Sequence, residues 1–265
     1  MLKKAVIASI VFVASIAAFG CGKSATSVTL AGSTAFQPFA ERLAEQYMES
    51  HNGVNITVQG GGSAVGIQSA NSGAAQIGMA DMVQLPDEAK GLTPVIVARD
   101  GVAIVVNPKN PITNLTTEQV RDIFNGKITN WKQLGGNDAP ITVVSREAGS
   151  GTRSSFEKII GSIQLKKDAL IQDSNGTIRE TVSNDPNAVS YLSHGMINEK
   201  VKPLTLDGIQ SSVENIVNGT YKLSRPIFLL VKGNIQGEIK NFIDYVLSPE
   251  GQKTIKDNGL LPAKS

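Results

Sequence analysis

The chain has 265 residues, 41% of them hydrophobic and 18% charged, with a single cysteine. That is the composition of a folded globular protein, and it excludes both disorder and an intramolecular disulfide. The formal net charge is +2, and since Lys3 and Lys4 fall in the leader described next, bulk basicity cannot drive binding to nucleic acid or another polyanion.

Residues 1–20 read as an export signal. "MLKK" gives a positive start, "AVIASIVFVASIAA" an uncharged apolar run, and "AFGC" small residues ahead of Cys21. The run is short for a membrane span of about 20 residues. Its ending resembles a lipoprotein signal in which Cys21 becomes the lipid-bearing N-terminus. Ala18 stands where such signals usually have leucine. The other reading is an ordinary cleaved signal with Cys21 as a free thiol.

After a tether, residues 21–26, strand-like and helix-like patterns alternate. "SVTLAG" reads as a strand and "QPFAERLAEQYMES" as a helix, with Phe39, Leu43 and Tyr47 stepping by four and Pro38 in the first turn. "VNITVQG" alternates as a strand, "AVGIQSA" is a short helix, and "AAQIGMAD" another strand. This is the rhythm of βαβ units around a largely parallel sheet. Two near-continuous apolar runs, "GVAIVVN" at 101–107 and "PIFLLVK" at 226–232, read as strands buried on both faces. They suit a chain that builds half of one lobe, crosses over, builds a second lobe and returns. The expected division is 27–102 with 228–265 for lobe 1 and 103–227 for lobe 2. Between the crossings come helix "TTEQVRDIFNG", strand "ITVVSR", helix "TRSSFEKII" and strand "AVSYLS"; after them, "GEIKNFIDYVLSPEGQKTI" reads as one long amphipathic helix.

Four Ser/Thr/Gly clusters sit where a strand ends and a helix starts: "AGSTAF" (31–36), "GGGSAVG" (60–66), "GMADM" (78–82) and "SREAGSGTR" (145–153). In open α/β sheets ligands lie outside the carboxyl ends of strands, where helix N-termini offer unpaired N–H groups and partial positive charge. Converging hydroxyls and glycine N–H groups there make an anion cradle. Each cluster also has a plain reading: Ser33, Thr34 or Ser63 as helix caps, "GGGS" as a turn, Asp81 as a turn or cap residue.

Arg146 can offer two-pronged donors to an oxyanion; otherwise it forms a surface salt bridge with Glu147 or Glu157. Asp81 beside an anion makes sense only if the ligand has a proton to donate, as hydrogen phosphate does and sulfate does not. Enzymatic readings find little support. His51 and His194 lack metal-ligand spacing, "GGSAV" fails the nucleophile-elbow pattern at Val65, and no segment gives the Walker phosphate-loop spacing. The lone Trp131 and 5% aromatic content argue against a sugar or single-stranded nucleic-acid platform.

The stretch "LTTEQVRDIFNGKITNWKQLGG" (115–136), with "SREAGSGTR" and "AGSTA", resembles the PstS family, the phosphate-binding lipoproteins of bacterial high-affinity phosphate ABC transporters. The likeness runs over nearly the whole mature chain. It implies a two-lobed, type II periplasmic binding protein-like α/β fold, with a mostly parallel sheet in each lobe and two crossover strands as hinge. It further implies a non-enzymatic phosphate receptor with no cofactor. Its implied partners are inorganic phosphate, ABC permease subunits with a cytoplasmic ATPase, and a membrane reached through the lipid on Cys21. A monomer, exported to the periplasm or outer cell-envelope face, with no nucleic-acid partner, completes the expectation. Carried over from the family, the phosphate-binding residues are Ser33, Thr34, Ala35, Ser63, Asp81, Arg146, Ser150, Gly151 and Thr152. Two positions depart from the family. Ala148 stands where better-studied members have an aspartate that holds the arginine, and Ala80-Asp81 replaces the serine without a following aspartate seen in many short members. The rival readings are a receptor for molybdate or sulfate, an exported phosphoryl-transfer or hydrolytic enzyme, and an adhesion or signalling protein that has lost the ligand.

Overall fold

A computed structural model describes residues 26–263. The export signal, Cys21 and all of the tether but Thr26 lie outside the described residues; Thr26 itself opens the first strand.

In chain order the first half runs β1 (Thr26–Gly32), α1 (Gln37–Ser50), β2 (Val54–Gly61), α2 (Ser63–Ser72), β3 (Ile77–Asp81) and β4 (Leu92–Val106). Next come β5 (Asn114–Leu115), α3 (Thr117–Phe124), β6 (Thr142–Arg146), α4 (Gly151–Ile160), β7 (Leu170–Gln172), α5 (Asn175–Asn184) and β8 (Ala188–Ser193). The chain closes with β9 (Lys202–Pro203), β10 (Thr205–Leu206), α6 (Val213–Val217), β11 (Ser224–Lys232), α7 (Gly237–Leu247), α8 (Pro249–Asp257) and β12 (Leu261–Pro262).

The strands pair in the order β2-β1-β3-β11-β4-β8-β6-β7. Pairing is parallel within each half, β2-β1-β3 on one side and β8-β6-β7 on the other, and antiparallel where β11 and β4 join them. The long strand β4 changes partner midway: Leu92 to Gly101 pair with β11, and Val102 to Val106 with β8. β4 is therefore one continuous connection between the halves, and β11 runs back beside its first part. Val102 to Val106 are all fully buried, as the uncharged run predicts.

Two main apolar cores flank this connection. One packs α1 and α7 against β1, β3 and β11 through Leu30, Phe36, Leu43, Tyr47, Leu229 and Phe242. The other gathers Val102, Ile104, Phe124, Trp131, Phe156 and Tyr191. The two lobes expected from the alternation are thus separate hydrophobic bodies joined through a shared sheet.

The 115–136 stretch is scaffold. Thr116 and Gln119 form a capping box at the start of α3, Asn130 and Gln133 form a second one, and the Trp131 indole donates to the Asn187 carbonyl at 3.0 Å from inside the core. The long C-terminal helix is corrected to two. Pro249 disfavours helical backbone at Ser248, which sits at φ −66°, ψ 163°, and the Ser248 hydroxyl then accepts the Gly251 N–H to start α8.

Candidate anion site at the meeting of the lobes

Helices α1, α2, α4 and α5 each begin just after the carboxyl end of a strand, and their first turns meet at one place between the halves. Local sequence sets each start. Gly62, at φ +88°, turns the chain so that Ser63 becomes the first residue of α2. Ser150 caps α4 by accepting the Arg153 N–H at 3.2 Å, and Ser174 caps α5 by accepting that of Thr177 at 3.0 Å. Before α1, the Ser33 hydroxyl accepts the Phe36 N–H at 3.1 Å.

These turns leave an unusual set of donors. Among the described residues no acceptor takes the backbone N–H of Thr34, Ala35, Ser63, Gly151 or Thr152. All five residues are buried. Helix starts leave their first N–H groups without intrahelical partners, and turns that meet at one place gather such groups into a set suited to an anion. Arg146 adds a sixth. It is 1% exposed, its Nε and Nη2 bind the two Glu147 carboxylate oxygens at 2.8 Å each, and Nη2 also reaches the Asp173 carbonyl at 3.2 Å. Its Nη1 is buried with no partner. Glu147 thereby does the holding that Ala148 cannot, one residue earlier than in the family. The salt bridge to Glu147 that the alternative reading named is present, but with Arg146 at 1% exposure it is a buried pair and not a surface one, and Glu157 pairs with Arg153 instead, at 2.7 Å. Below it, the Tyr191 hydroxyl accepts the Arg146 N–H at 3.2 Å and meets Ser145 at 2.8 Å; burial pushes that phenol up to about 12, so it stays neutral.

One acceptor stands among the donors. Asp81, 2% exposed at the end of β3, accepts from the Ser63 hydroxyl on Oδ1 at 2.7 Å and from the Thr152 hydroxyl on Oδ2 at 3.2 Å. Arg225 Nη2 approaches Oδ2 to 2.7 Å. A carboxylate offers roughly four lone-pair directions, so one further donor can be taken, on the Oδ1 side. Across from it, Asn175 binds the Thr34 hydroxyl from both its backbone N–H and its side-chain amide, at 3.3 and 3.2 Å, while its Oδ1 accepts the Ser193 N–H.

The halves touch closely here. The Ala64 N–H donates to the Gly149 carbonyl at 3.0 Å. A Cβ on Gly151 would lie 2.2 Å from Ser63 Oγ and 2.5 Å from the Asp81 carbonyl oxygen, so only glycine permits this approach.

Every residue carried over from the sequence lies in this cluster, with two refinements. Ser33 spends a lone pair on the start of its own helix, as the capping alternative foresaw for it, and Ser150 does the same for α4, which that alternative did not name, whereas Ser63 caps nothing and binds Asp81. Sequence reasoning missed Asn175, Asp100 and Arg225. "DSNGT" at 173–177 is another strand-to-helix start and the same rule would have found it. Arg225 opens an apolar run bound for the sheet interior, where a charge needs a reason.

Comparison with known proteins places the chain among relatives of similar sequence and fold. The profile of the PBP superfamily domain matches residues 20–250. The chain is 36% identical over 245 residues to the phosphate-binding protein PstS of Bacillus subtilis, covering 91% of this chain and 82% of that one. It superposes with a TM-score of 0.86, at 40% identity, on a putative phosphate ABC transporter substrate-binding protein with bound phosphate from Clostridium perfringens, covering 89% of this chain and 99% of that one. An ABC-type phosphate transport receptor from Vibrio cholerae gives a TM-score of 0.74 at 38% identity, covering 88% and 99%.

Proposed function

Because the chain belongs to the PBP superfamily and, within it, to the PstS family of phosphate-binding proteins, we propose that it is an inorganic phosphate receptor that serves import by an ABC transporter. The observation that carries this reading is the set of donors without partners among the described residues, five N–H groups of buried residues and the buried Arg146 Nη1, on turns that meet beside the acceptor Asp81.

Phosphate would be held by Thr34, Ala35, Ser63 and Asp81 from one half and by Arg146, Ser150, Gly151 and Thr152 from the other, with Ser33 supporting the first turn. Burying the anion strips its hydration, and the donors replace it. The hydroxyl protons of Ser150 and Thr34 remain available to donate. Asp81 accepts the ligand's own proton, so a ligand with no proton meets an unrelieved carboxylate. Each half holds only part of the set, so binding favours the state in which the halves meet. The division into 27–102 with 228–265 against 103–227 is supported by the change of partner along β4.

The loaded receptor would dock on permease subunits driven by a cytoplasmic ATPase, as a monomer exported from the cytoplasm and tethered by a lipid on Cys21. No bond is broken in this cycle, and neither a cofactor nor nucleic acid takes part.

Calorimetry of the purified protein with phosphate, arsenate, sulfate and molybdate tests the reading. Phosphate and arsenate should bind tightly and sulfate and molybdate poorly. Equal binding of sulfate would overturn the role of Asp81, and release of phosphate from an added phosphomonoester would overturn the receptor reading.

A further inference from the structure

Arg225 and Asp100 lie on the two strands that join the halves. They are cross-strand partners on β11 and β4, and Ile227, two residues along β11, pairs with Asp81 on β3. Arg225 is 2% exposed and Asp100 fully buried. A single nitrogen, Arg225 Nη2, serves both carboxylates, Asp81 Oδ2 at 2.7 Å and Asp100 Oδ2 at 2.8 Å. Two acids are thus drawn together in a buried place around one cation. Burial pushes the Asp100 carboxyl up, the Arg225 charge pulls it down, and the Asp81 charge adds to the upward push. Without the cation, two carboxylates this close would share a proton, and a protonated Asp81 becomes a donor.

We propose that Arg225 is a positioning residue for anion selectivity: it keeps Asp81 an acceptor-only carboxylate, and through Asp100 it ties that property to the strands crossing between the halves. The inference rests on the reading of Asp81 as acceptor of the ligand's proton. Arg225 need not touch the ligand. Its Nη2 lies on the Oδ2 side, while the remaining acceptor direction of Asp81 is on Oδ1, beside Ser63. A structural role alone would lower the affinity for every anion alike; a role through Asp81 changes which anion is preferred.

The test compares the parent protein with Asp81→Asn, Arg225→Lys and the double variant Arg225→Met/Asp100→Asn. Binding of inorganic phosphate is measured by calorimetry, and sulfate by its competition with phosphate. Arg225→Met alone leaves two buried carboxylates uncompensated and is strongly destabilising; the double variant removes one charge of each sign. In the double variant Asp81 stays buried without its cation, which by itself disfavours the charged form, so the phosphate-to-sulfate preference should fall at least tenfold, and Arg225→Lys should retain most of it. If the double variant loses affinity for both anions in proportion while Asp81→Asn erodes the preference, Arg225 is only structural and the inference fails alone. If Asp81→Asn leaves the preference unchanged, the reading of Asp81 fails and takes this inference with it.

Discussion

Arg146 and Arg225 are both buried and both bonded to carboxylates, yet they meet those carboxylates in different ways. Arg146 is gripped side-on by Glu147 at Nε and Nη2, and keeps Nη1 without a partner. Arg225 also keeps buried nitrogens, Nε and Nη1, without partners among the described residues, but brings its one bonded nitrogen to two carboxylates, of which Asp81 is the acceptor in the cluster. On the proposed function the first adds a donor to the cradle, and on the further inference the second preserves its acceptor. On the proposed function, attraction for an anion and choice among anions therefore rest on different charges, one at the end of β6 and one on the strand that returns between the halves.

The largest effect expected is that of Arg146→Ala. Phosphate affinity should fall roughly a hundredfold or more, the scale of about 2–5 kcal/mol seen when one partner of a buried charge pair is truncated. Sulfate should weaken in proportion, and an unchanged phosphate affinity in calorimetry would remove Arg146 from the site. Gly151→Ala comes next. Its methyl would stand 2.2 Å from Ser63 Oγ, so the halves are kept apart, affinity drops by more than about tenfold, and small-angle scattering of the phosphate-saturated variant should show a larger radius than the parent. Asn175→Ala removes the amide that links Thr34 to Thr152. About one hydrogen bond's worth, roughly fivefold in affinity, should be lost, and an equal loss for sulfate would align Asn175 with Arg146 and not with Arg225. Ser248→Ala, far from both arginines, should leave binding untouched and lower stability by about 1 kcal/mol through loss of the α8 cap, read from thermal or urea melts.

Much of the fold can be read without coordinates. Strand and helix periodicity located β1, α1, β2, α2 and β3, and the two apolar runs marked the strands that join the halves. The stretch most characteristic of the family, 115–136, carries no donor of the site: its Thr116, Gln119, Asn130 and Trp131 cap and fill the scaffold of the second half. The donors are in the short Gly/Ser/Thr turns, where single residues such as Ser63 read equally well as caps. Only the contact between Ser63 and Asp81 decides that case. The continuous helix expected near the C-terminus failed at one dipeptide, Ser248-Pro249, because apolar spacing persisted across a backbone break.

By itself the sequence determined what is local: which segments alternate at period two or near four, where glycine lets a strand turn into a helix, and which turns are rich in donors. Tertiary structure decided which of those groups meet. Asp81, Asp100 and Arg225 come from three strands, β3, β4 and β11, and no spacing along the chain brings them together. Strand pairing does so, because backbone hydrogen bonding fixes neighbours across a sheet regardless of their separation in sequence, and burial there then forces each charge to find its partner.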